Sequence, residues 1–271
     1  MLDIVHYIFP EEIARLQLQA WKALFPPSLR RATEIITISR NVSKELIQLF
    51  PYIEAKVNVV YLGVDQRTLF PRCKEAAPPD IAGGLGGYIL SVCSASKRKN
   101  LTVLLKAFKQ LRCQHLGLRL VLARNTMKHT QSLRSQLADL GLNGVVEFTG
   151  RVGEAQLVGL YQKATAFVFA SLYEGFGLPS LEAMACGCPI VASNASAIPE
   201  VVGDGAILFD PQDPDDLARS LLEVLGSGSL RSALSVRGFA NFEGFSWRET
   251  AHKTAAIYSR CCGHLNSRCS A

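Results

Sequence analysis

From Tyr88 onward the chain repeats one pattern: a short, unbroken apolar run, a break, then a segment with helical periodicity. "YILSVC" (88–93) precedes "NLTVLLKAFKQL" (100–111), "RLVLA" (119–123) precedes "QSLRSQLADLG" (131–141), and "VVEFTG" (145–150) precedes "EAQLVGLYQKA" (154–164). "AFVFAS" (166–171) then leads into "PSLEAMACG" (179–187), and "PIVAS" (189–193) and "GAILFD" (205–210) are followed by "PDDLARSLLEVL" (214–225). The apolar runs do not alternate with polar residues, so each strand must be covered on both faces. Strands of that kind, separated by helices, predict a parallel, doubly wound α/β sheet.

Upstream the pattern is less regular. "QRTLFPRCKEAAPPDIAGGLGG" (66–87), with three prolines and four glycines, reads as an interdomain linker. Before it, "PEEIARLQLQAWKALF" (10–25) predicts an amphipathic helix opened by Pro10 and stopped by Pro26 and Pro27. Ile13, Leu16, Trp21 and Leu24 would share its apolar side, which is expected to pack in a core or to lie on a membrane surface. "EIITIS" (34–39) and "KVNVVYLG" (56–63) read as strands around a helix near "SKELIQLF" (43–50). The expected organisation is 1–65, a partial Rossmann-like unit; 66–87, a linker; 88–245, the regular α/β domain; and 246–271, a helix and tail opened by the capping box "SWRE" (246–249).

Composition narrows the function classes. Of 271 residues, 48% are hydrophobic and 19% charged, a globular profile, and the net charge of +6 suits an anionic ligand without arguing for nucleic acid. No nucleic-acid motif is present, and no apolar stretch is long enough to span a bilayer. The eight cysteines include Cys93, Cys113, Cys186 and Cys188 inside apolar segments, where Cys acts as a small hydrophobe. Cys261, Cys262, His264 and Cys269 in the tail do not have paired zinc-ligand spacing. A cytoplasmic protein with free thiols is expected.

The stretch "SLYEGFGLPSLEAMACG" (171–187) raises the sharpest chemical question. Glu174 follows a strand, at the sheet edge where ligands of doubly wound domains bind, and Glu182 lies in the next helix. Gly175 and Gly177 permit a tight backbone approach, and Pro179 suits the first helical position. The N–H groups of Gly177, Leu178 and Ser180, backed by the helix dipole, would suit a phosphate. Alternatively, Glu174 caps a turn and Glu182 merely complements the dipole. "GFGLPS" approaches a dinucleotide fingerprint, yet the following strand ends at Ser193 and Asn194 rather than at a ribose-binding acid. "DPD" (213–215) reads as a helix cap rather than as a metal motif.

"EGFGLPSLE" resembles the E-x7-E motif of retaining group 1 (family 4) glycosyltransferases of the GT-B fold. Its neighbours agree in order: "ITISRNVSKEL", "VVYLGVD", "YILSVCSASKRKNLTVLLKAF" and the run from "VVEFTGRVG" to "DPQDPDDLA" all resemble that family, over roughly residues 30–260. The resemblance implies a GT-B architecture: a complete C-terminal doubly wound domain with a partial N-terminal Rossmann-like domain. It further implies that Glu174 contacts the donor sugar, with Arg98 and Lys99 as the cations that neutralise the leaving diphosphate. Gly175, Phe176, Gly177 and Leu178 would hold sugar and diphosphate, Glu182 would accept from the ribose hydroxyls, and Val152 would complete the donor site. No metal and no cofactor is expected, the nucleotide sugar being a substrate. The Arg-Lys-Asn sequence (98–100) leans towards the mannosyltransferase-like branch and GDP-mannose.

Two features depart from the family. Cys93 and Arg124 stand where glycine is usual, and at the N-terminus Asp3 matches the family's Asp while Leu2 replaces its His. His6, beside Tyr7 and Ile8, reads as a packing residue. The expected activity is retaining, metal-independent transfer to a saccharide or lipid-linked acceptor, with a peripheral contact at the inner membrane face. Two alternatives are a non-catalytic nucleotide-sugar-binding fragment needing a partner half, and a nucleotide-sugar epimerase.

Overall fold

The computed structural model of the chain describes residues 4–64, 87–92, 94, 96–123 and 130–269, with backbone alone at 130–132 and 263–269. Cys93, Arg124, Leu2, Asp3, most of the 66–87 segment, and the side chains of His264 and Cys269 therefore lie outside it. The chain packs as two units: residues 65–173 with 177–244, and residues 1–64 with 174–176 and 245–271.

The larger unit is built on six parallel strands, β3 (Tyr88–Val92), β4 (Arg119–Ala123), β5 (Val146–Gly150), β6 (Ala166–Phe169), β7 (Ile190–Ser193) and β8 (Ala206–Phe209). Their spatial order is β5-β4-β3-β6-β7-β8. The chain thus winds outward from β3 to β5, crosses back, and winds outward again from β6 to β8. Every residue of β3, β6 and β7 is buried, which is why these strands read as continuous apolar runs. The helices that cover them are α4 (Leu101–Arg112), α5 (Thr130–Leu140), α6 (Glu154–Lys163), α7 (Leu178–Ala185), α8 (Ile198–Val202) and α9 (Pro214–Gly226). Leu104, Leu105 and Phe108 of α4 join Ile89, Leu120, Val168 and Leu221 in one core.

One further helix of this unit, α10 (Gly228–Glu243), lies where the sequence reading assigned none. Its buried positions Leu234, Gly238 and Phe242 recur every fourth residue. At Gly238 a backbone contact replaces a side chain: a Cβ on Gly205 would come within 2.6 Å of the Gly238 Cα. Apolar periodicity is correspondingly weak, and that hid the helix.

The smaller unit contains α1 (Val5–Ile8), a 3-10 turn at Pro10–Glu12, α2 (Arg15–Arg31), α3 (Arg40–Leu49) and a pair of short parallel strands, β1 (Ile35–Thr37) and β2 (Val57–Val59). The predicted first helix is corrected at both ends, since the chain breaks at Ile13 and α2 runs straight through Pro26 and Pro27. Two interior prolines remove two successive backbone donors. Neighbouring groups hold the helix instead: Ser28 Oγ donates to the Phe25 carbonyl at 2.7 Å and the Tyr52 hydroxyl to that of Pro26 at 3.2 Å. Lys56 Nζ donates to the Arg30 and Ala32 carbonyls at 3.0 and 2.8 Å, satisfying the C-terminal end.

The apolar face is corrected as well. Phe25 and Leu29 are buried, one turn apart, whereas Leu16 and Leu24 are 81% and 71% exposed. A groove of about 540 Å³ lies along this face, lined by Gln17, Ala20, Trp21, Leu24, Phe25 and Ser28. The unit's fully buried residues are aliphatic, Val42, Leu46 and Ile53, and a half-buried aromatic cluster lies on buried Phe25. Tyr7 lies 6.0 Å from Phe25 and 5.9 Å from Phe50, and His6 packs on Trp21 at 4.3 Å between ring centroids. The long helix α11 (Trp247–Cys269), which the sequence reading set apart, belongs here. Ser246 Oγ caps it by accepting from the Glu249 amide at 3.2 Å, and Thr250 Oγ1 donates to the Tyr61 carbonyl at 2.7 Å. Gly63 must be glycine at this junction, since a Cβ would lie 2.0 Å from the Trp247 nitrogen.

Candidate active site

In a sheet wound in two directions, the connections leaving the two central strands depart to opposite sides and open a crevice at the strands' carboxyl ends. Here those strands are β3 and β6. The segment after β3 carries Arg98 and Lys99, and the segment after β6 carries Glu174 to Leu178.

After β3, residues Lys97–Lys99 form a 3-10 turn that ends at Asn100 in the left-handed region (φ 55°, ψ 38°). Asn tolerates that conformation better than most residues, and its buried side chain donates to the Pro211 carbonyl at 2.7 Å. Helix α4 begins at the next residue. The turn is fastened to the segment after β6: the Leu172 amide donates to the Arg98 carbonyl at 2.7 Å, and Arg98 Nη1 donates to the Tyr173 carbonyl at 3.4 Å. Lys97 is exposed, while Arg98 and Lys99 are half-buried. Lys99 Nζ lies over the Phe169 ring, 5.5 Å from its centroid. Two of the three adjacent cations are thus held in place.

After β6 the motif divides between the units. Glu174, half-buried, groups with Gly175 and Phe176 in the smaller unit, where the Phe176 ring meets Tyr61 at 6.0 Å and Phe245 at 5.8 Å. Gly177 returns the chain to the larger unit with φ 120°, a conformation that L side chains rarely adopt, and a Cβ there would stand 3.3 Å from Phe169 Cε1. Helix α7 begins at Leu178, so Pro179 occupies its second position rather than its first. The phosphate expectation is corrected in one respect: the Ser180 amide donates to the Gly177 carbonyl at 3.0 Å and is spent within the turn. Ser180 Oγ and Ser193 Oγ, at the start of α7 and the end of β7, are buried with no partner among the described residues.

Glu182 is the fifth residue of α7, beyond the first turn, so complementing the helix dipole does not account for it. It is half-buried, and its Oε2 accepts from the Tyr161 hydroxyl at 3.1 Å. Sequence reasoning missed Tyr161 and Phe169, because each reads as an apolar residue filling a core. Val152, half-buried, follows β5, two strands from β3.

Other candidates fall to structural roles. Asp213 caps α9 by accepting from the Asp215 amide at 2.8 Å, with Pro214 at the first helical position. Asp216 accepts from the Asp210 amide at 2.7 Å and pairs with Arg219 at 3.0 Å. Among the described residues no group of three or more His, Cys, Asp or Glu gathers as a metal-ligand set. Burial pushes the Cys188 thiol and the Tyr88 hydroxyl well up from their ordinary values, and Tyr88 donates to the Leu160 carbonyl at 2.7 Å. Both are packing residues. No helix among the described residues is long and apolar enough to cross a membrane.

Comparison with known proteins bears on the family and the fold. The family model for "Glycosyl transferases group 1" matches residues 86–239. O-antigen chain mannosyltransferase B of Escherichia coli is 31% identical over 94% of this chain and 68% of its own length. The MMP alpha-(1->4)-mannosyltransferase of Mycolicibacterium hassiacum is 34% identical over 85% of this chain and 55% of its own length, so the chain spans between about half and two thirds of these two relatives. Among solved structures, the Anabaena protein Alr3699/HepE in complex with UDP and glucose superimposes with a TM-score of 0.78 at 22% identity, covering 96% of this chain and 70% of that one. Sucrose-phosphate synthase from Thermosynechococcus elongatus does so with a TM-score of 0.76 at 22% identity, over 97% and 67% respectively. The chain belongs to the group 1 glycosyltransferases and has the α/β fold of their GT-B members.

Proposed function

We propose that the chain takes part in metal-independent transfer of a hexosyl group, with mannosyl favoured, from a nucleotide sugar to a saccharide or lipid-linked acceptor, with retention at the anomeric carbon. The observation that carries this reading is the strand order. It sends the Arg98–Lys99 turn and the Gly177–Glu182 segment out from the two central strands, β3 and β6. The mannosyltransferase names of the two relatives support the choice of sugar. GDP-mannose is the favoured donor.

In this reading Glu182 accepts hydrogen bonds from the ribose hydroxyls, and the backbone from Phe176 to Leu178 holds the sugar and diphosphate. Glu174 contacts the sugar near the reacting carbon. The anomeric C–O bond to the diphosphate breaks while the acceptor oxygen bonds to the same face of that carbon. The acceptor's proton passes to the departing phosphate oxygen, leaving a nucleoside diphosphate. Negative charge grows on that leaving group, and fixed cations at Arg98 and Lys99 lower the barrier by stabilising it. No protein nucleophile is required. Leu16 and Leu24, exposed beside Arg15 and Lys22 on α2, support a peripheral contact with the cytoplasmic face of a membrane that carries the acceptor.

The test is incubation of the purified chain, alone and with an upstream segment from a homologous enzyme, with labelled GDP-mannose and UDP-glucose and a lipid-linked acceptor extract in EDTA. Mannosyl transfer with retention supports the reading. A requirement for magnesium or manganese, or an inverted product, contradicts it.

A further inference from the structure

A row of aromatic rings connects the two ends of the donor site. Tyr161 on α6 is fully buried, and its hydroxyl donates to Glu182 Oε2 at 3.1 Å. Its ring meets Phe167 edge-on, with centroids 5.3 Å apart and planes at 76°. Phe167 and Phe169, two apart on β6 and so on one face of the sheet, stack 6.0 Å apart at 23°. Phe169 carries Lys99 Nζ over its ring, and its Cε1 backs the position where Gly177 lacks a side chain. The three rings are at most 1% exposed.

Packing alone does not ask for tyrosine at position 161, because phenylalanine would fill the same volume without burying a hydroxyl. The hydroxyl is there with a charged acceptor. Lysine, for its part, has a long side chain with high rotamer entropy, and an aromatic face gives the ammonium a fixed seat.

We propose, resting on the donor-site reading above, that Tyr161 and Phe169 are positioning residues joined through Phe167 into one device. Tyr161 fixes the Glu182 carboxylate for the ribose, and Phe169 fixes Lys99 and the Gly177 backbone for the diphosphate. The separation of ribose and phosphate contacts is then set by a buried strand. The ligand class it measures is a ribonucleoside diphosphate.

The test uses the full chain, Tyr161→Phe and Phe169→Leu, with calorimetric titration of GDP, GMP and 2′,3′-dideoxy-GDP, and the uridine counterparts in parallel. Tyr161→Phe should weaken the ribonucleoside diphosphate by roughly three- to tenfold and leave the dideoxy compound unchanged, narrowing the ribose preference. Phe169→Leu should keep the ribose preference and narrow the preference for diphosphate over monophosphate by about two- to fivefold. Thermal melts of the same proteins report the cost in packing. If either variant lowers all affinities in proportion, with both preferences at their wild-type values, the shared device is refuted. Glu182→Ala separates the two levels. If it retains the ribose preference, the donor-site reading itself fails; if it loses that preference while Tyr161→Phe does not, only the positioning claim fails.

Discussion

The two units of this chain hold themselves together differently. The larger unit closes its sheet between helices, and β3, β6 and β7 have no exposed residue. The smaller has, among the described residues, a sheet of two three-residue strands, and packs a few buried aliphatic residues (Val42, Leu46, Ile53), a half-buried aromatic cluster and α11. A two-stranded sheet adds little stability by itself, and Leu16 and Leu24 stay exposed on its helix. Burial is therefore densest in the unit that carries Arg98, Lys99 and Glu182. The proposed stabilisation of developing charge would gain from such a rigid support.

This contrast can be broken by substitution, taking the largest expected effect first. Phe108→Ala, at a fully buried position of the larger unit, should cost about 3–5 kcal/mol in urea unfolding. Leu24→Ala in the smaller unit should stay within about 0.5 kcal/mol. Gly177→Ala forces a side chain into a φ of 120° and against Phe169; it should cost about 1–3 kcal/mol and weaken nucleoside diphosphate binding in calorimetry. The smallest effect concerns Cys188. Burial raises its thiol above the ordinary 9.0, so the unfolded chain releases that proton first. Its contribution to stability is whole below pH 9 and is lost as pH rises from there. Iodoacetamide mapping should accordingly label exposed Cys262 at once and Cys188 only as the larger unit opens, increasingly above pH 9.

Much of the larger unit could be read from the chain, because a strand buried on both faces writes itself as an unbroken apolar run. What escaped did so for physical reasons. Helix α10 uses Gly238 for a backbone contact, leaving a gap in its apolar pattern. Helix α2 passes through Pro26 and Pro27 because Tyr52, Lys56 and the buried Phe25 and Leu29 hold it, and local propensity records none of that. The positions of Arg98 and Lys99 after one central strand, and of Glu182 in the helix after the other, could be read from the chain. The contacts of Tyr161 with Glu182 and of Phe169 with Lys99 could not, since both residues look, in sequence, like core. The spent Ser180 amide could be seen only once the turn geometry was known.

The central claim, that the larger unit binds a nucleotide through Glu182 and fixed cations, is tested most directly by calorimetry of GDP and UDP binding in EDTA. The wild-type chain should bind at least one of them, Glu182→Ala should lose about 1–3 kcal/mol of that affinity, and Arg98→Ala with Lys99→Ala should abolish the preference for diphosphate over monophosphate. Unchanged affinity in both variants, or binding that appears only when magnesium or manganese is restored, would contradict it.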